Sequence, residues 1–203
     1  IESNDIIEYV DATFDGPKLF PTDPEEQAFM QASMKYEDDL HLCVRALTFR
    51  YLLPVEMMKK PEEAVDVYEA EGAETVGGKV DGRKAIEVDF WRKMNANNGI
   101  TDEQVIDAAG EFLKAFGKLE ERLEQHEYLL ASGLSALDIA WWITVFRITK
   151  LGFPTDRFPK LFAWYEKLLA REDFAREVAP PPEMIEVSKA HQAAYEAEGK
   201  GLQ

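Results

Sequence analysis

Apolar positions recur at helical spacing along the whole 203-residue chain, and no segment alternates polar and apolar residues as a half-buried strand would. Ile6, Ile7, Val10 and Phe14 form the first stripe, with Ser3 as N-cap and Asp5 in the first turn. A linker rich in glycine and proline, "FDGPKLFPT", separates it from the next helix start. There Asp23 is the cap, Pro24 takes the first helical position, and Glu25 and Glu26 favour the positive end of the helix dipole. The next proline is Pro54, so the pattern predicts one helix from Pro24 to about Leu53, roughly 45 Å long at 1.5 Å per residue. Phe29, Ala32, Tyr36, Leu40, Val44, Leu47 and Tyr51 mark its expected buried side.

Residues 55–100 are more polar. They predict two short helices, over Glu62–Glu71 and Lys84–Met94, joined by the glycine-rich turn "VGGKVDGRK" and stopped by "NANNG". Thr101, with Gln104 three residues on, is a capping box that starts a helix whose apolar face runs from Val105 to Leu123. The segment "LSALDIAWWITVFRITKLGF" is apolar on nearly every side and predicts the central buried helix. A short helix carrying Leu161, Trp164, Leu168 and Leu169 follows, and the polar tail after Pro180 predicts a helix on the surface. The expected fold class is mainly α.

Composition narrows the partners. The chain carries 39 acidic and 23 basic side chains, a net charge of −16, which repels phosphate backbones and anionic membranes. Nucleic acid and membrane are therefore not expected partners. The most apolar run, Leu134–Ile148, is broken by Asp138 and Arg147 and is too short to span a bilayer. Cys43 is the single cysteine, which excludes an internal disulfide and fits a reducing cytoplasmic setting. His41, Cys43, His126 and His191 lack metal-ligand spacing, so no metal is expected.

Ser135 and Asp138 have the spacing of a second capping box, at the start of the most buried helix, where unsatisfied N–H groups cost most. The stretch "KLEERLEQHEYLLASGLSALDIA", followed by "FPKLFAWYEKLLAREDF", resembles the C-terminal helical domain of glutathione S-transferases. The opening "ES..I..Y" is similar to the end of that family's thioredoxin-like domain, and "GP.L.P.DP" to its interdomain linker. The stretch "FDGPKLFPTDPEEQAFM…HLCVRALTF" most resembles the β-etherase-type branch, whose enzymes cleave aryl ethers with glutathione.

The resemblance implies a layout. Residues 1–22 would be the end of a thioredoxin-like domain and its linker, 23–179 an all-α C-terminal domain, and 180–203 a C-terminal tail. It implies glutathione as co-substrate, with Glu2 and Ser3 at its γ-glutamyl end. A helix N-terminus and a serine hydroxyl are chemically suited to that carboxylate. Met30, Met34, Asp38 and His41 would line the pocket for a hydrophobic electrophile, with a contribution from the tail after Pro180. The group that activates the thiol would lie upstream of Ile1, leaving no catalytic residue among these 203, and the full-length protein would be a homodimer. The alternative is a non-catalytic interaction or binding module built on the same helical domain.

Overall fold

The computed structural model describes residues 3–72, 75–76, 79–80 and 82–202. Helix α1 (Ser3–Thr13) leads through the linker to α2 (Pro24–Asp39) and α3 (His41–Tyr51). The short α4 (Val55–Met58), α5 (Glu62–Ala70), the strands β1 (Thr75–Val76) and β2 (Lys79–Val80), and α6 (Arg83–Ala96) follow. The chain then forms α7 (Asp102–Leu123), α8 (Ala136–Lys150), α9 (Pro159–Leu169), α10 (Glu172–Ala175) and α11 (Pro182–Ala197). The fold is mainly α, as the apolar spacing implies.

Two expectations need correction. The helix expected from Pro24 to Leu53 is two helices, because the Leu40 N–H bonds the Glu37 carbonyl at 3.0 Å, three residues back rather than four. The buried face also differs from the expected one: Phe29 is 40% exposed and Ala32 is exposed, while Met30, Met34 and Glu37 turn inward, on the row that continues through Leu40, Val44 and Leu47. The glycine-rich turn contains a small antiparallel pair, Thr75 opposite Val80 and Val76 opposite Lys79, in a stretch with no visible alternation.

The helix starts follow their capping chemistry. Asp23 Oδ1 accepts the Glu25 and Glu26 N–H groups, each at 3.0 Å. The Thr101–Gln104 box is closed on both sides. Helix α6 ends where Asn98 and Gly99 take left-handed conformations, and a Cβ on Gly99 would sit 3.3 Å from Val55 Cγ2.

The core lies between α3, α7 and α8, with α2 laid along α8 and α9 packed on α7 and α8. Leu47, Phe112, Phe116, Leu137, Trp141, Val145, Ile148 and Leu161 are fully buried. Side chains of this size contribute about 1.5–3 kcal/mol each on burial. Asp138 sits at the junction of three segments. Its Oδ1 accepts the Leu129 N–H and the Trp164 Nε1–H, both at 3.0 Å, while Oδ2 accepts the Ser135 N–H at 2.9 Å and the Ser135 hydroxyl at 2.8 Å. The capping box thus also ties the connector before α8 and the middle of α9 to one carboxylate.

The linker docks on this same end. The Ala136 N–H donates to the Leu19 carbonyl at 3.0 Å, and the Leu19 N–H to Asp11 at 2.7 Å. Helix α1 is therefore attached beside the start of α8, yet Ile6, Tyr9, Val10 and Phe14 are 47–64% exposed along one stripe.

Candidate functional site

A cavity of about 1010 Å³ lies between α3, the C-terminal end of α8 and α11. That is the size of a small-molecule site. Helix α3 contributes His41, Val44, Arg45, Thr48, Phe49 and Leu52 just beyond its end; α8 contributes Phe146, Arg147, Thr149 and Lys150. Helix α11 forms the opposite wall with Met184, Ile185, Ser188, Lys189 and Gln192.

Local bonding explains why α11 closes this space. None of its residues is buried, so hydrophobic burial alone would hold it weakly. Polar ties replace that burial. Tyr51 donates its hydroxyl to the Lys200 carbonyl at 2.9 Å, and His191 Nε2 lies 3.0 Å from the Arg50 carbonyl. Gln192 donates to the Lys150 carbonyl at 2.9 Å, at the end of α8. The Arg50 guanidinium lies 4.7 Å from the Tyr195 ring, a cation–π contact.

The residues singled out from sequence fall in different places. His41 lines the cavity and Asp38 is exposed outside its lining. Met30 and Met34, at 2% and 7% exposure, pack into the bundle core rather than the cavity. Ser3 opens α1 in the backbone, whereas its side chain, like Glu2, lies outside the described residues. Ser135 and Asp138 form the capping box far along α8 from the cavity end. Among the described residues no cluster of His, Cys, Asp or Glu could hold a metal ion. No described helix is long and apolar enough to cross a membrane.

Sequence reasoning missed Arg45, Thr48, Phe49, Arg147 and Lys150; the tail after Pro180, which the resemblance implies at the pocket, forms the α11 wall of this cavity. The pairs Arg45–Thr48 and Arg147–Lys150 each have helical i, i+3 spacing, a local signal. Their convergence with Lys189 depends on tertiary packing and leaves no local trace. Burial pushes two nearby groups upward in pKa. One is the Cys43 thiol, helped by the charges of Glu111 and Asp107, which keeps it protonated and unreactive. The other is the Glu37 carboxyl, against which the Thr144 hydroxyl and the charges of His41 and Arg147 act only partly.

The bundle with its capped central helix and cavity has relatives. A family model for the C-terminal domain of glutathione S-transferases matches residues 63–167. The chain belongs to this family. Glutathione S-transferase L1 of Arabidopsis thaliana is 47% identical over 38 residues, a stretch covering 19% of this chain and 16% of that protein. The match thus spans about a sixth of that relative's length. The β-etherase LigF from Sphingobium sp. strain SYK-6 superposes over 92% of this chain and 73% of its own, with a TM-score of 0.66 and 23% identity. A glutathione S-transferase from Pseudomonas fluorescens Pf-5 covers 86% of this chain and 65% of its own, with a TM-score of 0.52 and 18% identity. At these identities the two structures share the fold of this family member.

Proposed function

We propose that this glutathione S-transferase family member takes part in glutathione transfer to a hydrophobic or aromatic electrophile, with the cavity between α3, α8 and α11 as the electrophile pocket. The observation that carries the reading is that cavity: about 1010 Å³ of space with a wall of Val44, Phe49, Phe146, Met184 and Ile185, in a family whose members are named for glutathione transfer. Apolar walls with a few polar groups are what an aromatic ligand needs, and Met184 lets the wall adapt to ligands of different shape.

In this reading α1 is the last helix of a thioredoxin-like domain, whose sheet covers the stripe of Ile6, Tyr9, Val10 and Phe14. Glu2 and Ser3 then meet the γ-glutamyl end of glutathione, and the group that lowers the thiol pKa belongs to that domain. The thiolate sulfur forms a bond to the electrophilic carbon, and the leaving group departs with the electron pair of the broken bond. An aryl ether is one such electrophile, and the resemblance to β-etherases supports it. Cytoplasmic residence and a homodimer belong to the same proposal.

The test incubates the protein carrying its proposed thioredoxin-like domain with glutathione and an aryl ether or aryl halide, and follows thioether formation by mass spectrometry. Protein-dependent conjugate is the expected result, with no turnover by residues 1–203 alone. Failure to retain glutathione or form any conjugate would favour the non-catalytic binding module.

A further inference from the structure

The charges around the cavity do not follow the rest of the chain. Across the sequence, acidic side chains outnumber basic ones 39 to 23. Among the cavity-lining residues the order reverses: Arg45, Arg147, Lys150 and Lys189 are present, with His41, and no Asp or Glu. Part of this charge is already satisfied. Arg45 Nη2 bonds Glu87 at 2.9 Å, and Lys189 lies 3.4 Å from Glu186. Arg147 and Lys150 form no ion pair among the described residues, although the field of Glu37 reaches Arg147.

A second observation points the same way. Arg45 Nη1 and Thr48 Oγ1 are shielded from solvent and make no hydrogen bond. They stand one turn apart on the cavity-lining side of α3. A helical threonine hydroxyl can bond back to its own helix, as Thr149 does to the Val145 carbonyl at 2.7 Å; Thr48 does not. Sheltered donors without acceptors are costly, and two on one wall leave a demand that an acceptor-rich ligand can meet.

We propose that the cavity binds an apolar, preferably aromatic molecule bearing a carboxylate or equivalent anion. Arg147 and Lys150 attract the anion at the rim, and Arg45 with Thr48 supply donors in the wall. The apolar body of the molecule lies along Val44, Phe49 and Phe146, with Met184 and Ile185 facing it from α11. Calling this molecule a substrate rests on the transferase reading above; its binding does not.

Biphenyl-4-carboxylate and biphenyl-4-carboxamide differ in charge while sharing shape, so calorimetric titration of the 203-residue chain with each isolates the anion. The acid should bind about tenfold more tightly than the amide, the scale of a charge-assisted hydrogen bond net of desolvation. The double variant Arg147→Gln, Lys150→Gln alters only exposed side chains and should bring the acid down to the affinity of the amide, leaving the amide unchanged. Arg45→Gln, which keeps a donor toward Glu87, should weaken the acid selectively as well. Equal affinity for acid and amide, binding of neither, or variants that weaken both alike would each overturn the proposal. Glutathione is absent from the experiment, so its outcome is separate from that of the conjugation assay.

Discussion

Asp138 is the residue on which most of the local structure depends. Its carboxylate is fully buried and accepts from the Leu129 and Ser135 N–H groups, the Ser135 hydroxyl and the Trp164 indole. Asp138→Ala leaves three N–H donors in the interior without an acceptor. Each orphan costs about 1–3 kcal/mol, and with some relaxation the total should be about 3–5 kcal/mol, more than an ordinary cap is worth. Denaturant midpoints of Asp138→Ala and of Glu121→Ala, an exposed control, would measure it. A loss equal to the control's would contradict the role. Glu37 presents the opposite balance. Burial holds its carboxyl above the usual carboxylate range, despite the Thr144 hydroxyl bond and the charges of His41 and Arg147. A folded-state value above the unfolded one means the fold favours the protonated form, so this contribution is present at low pH and lost as pH rises through the folded value. Glu37→Gln keeps an acceptor for Thr144 without the charge. Its melting temperature should match wild type near pH 4 and exceed it at pH 7; parallel curves across that range would refute the assignment.

Among the elements, those with explicit start and stop chemistry were readable in the sequence. Thr101 with Gln104 set the start of α7, Asp23 with Pro24 that of α2, and Asn98 with Gly99 the end of α6. The break between α2 and α3 was not, because neither Gly nor Pro marks Leu40. A subtler signal is present: Glu37, Asp38 and Asp39 crowd the last turn of α2, where the dipole disfavours acids, and lie just before the start of α3, where it favours them. The pocket position of Met30 and Met34 came from the resemblance alone; both pack in the core, on the buried row that continues through Leu40, Val44 and Leu47. The family resemblance was readable as a set of short motifs around Ser135–Asp138. Of the cavity, the resemblance pointed only to His41 and the tail after Pro180; the share of α8, and the meeting of positions about 40, 150 and 190, are decided by packing and by the polar ties of α11.

At the scale of the whole molecule, the contrast between a body of charge −16 and a basic cavity rim has a kinetic consequence. A small anion far from the protein meets net repulsion, and the rim acts on it only within about a Debye length, ~8 Å at physiological salt. Arrival is therefore governed by the body and residence by the rim. Added salt screens both, so it should speed capture of biphenyl-4-carboxylate and also shorten its stay. Stopped-flow mixing between about 10 and 150 mM salt separates the two rates, the lower value giving a Debye length near 30 Å. An association rate that falls as salt is added would mean instead that the rim's field extends past the acidic surface into solvent and draws the anion in from a distance.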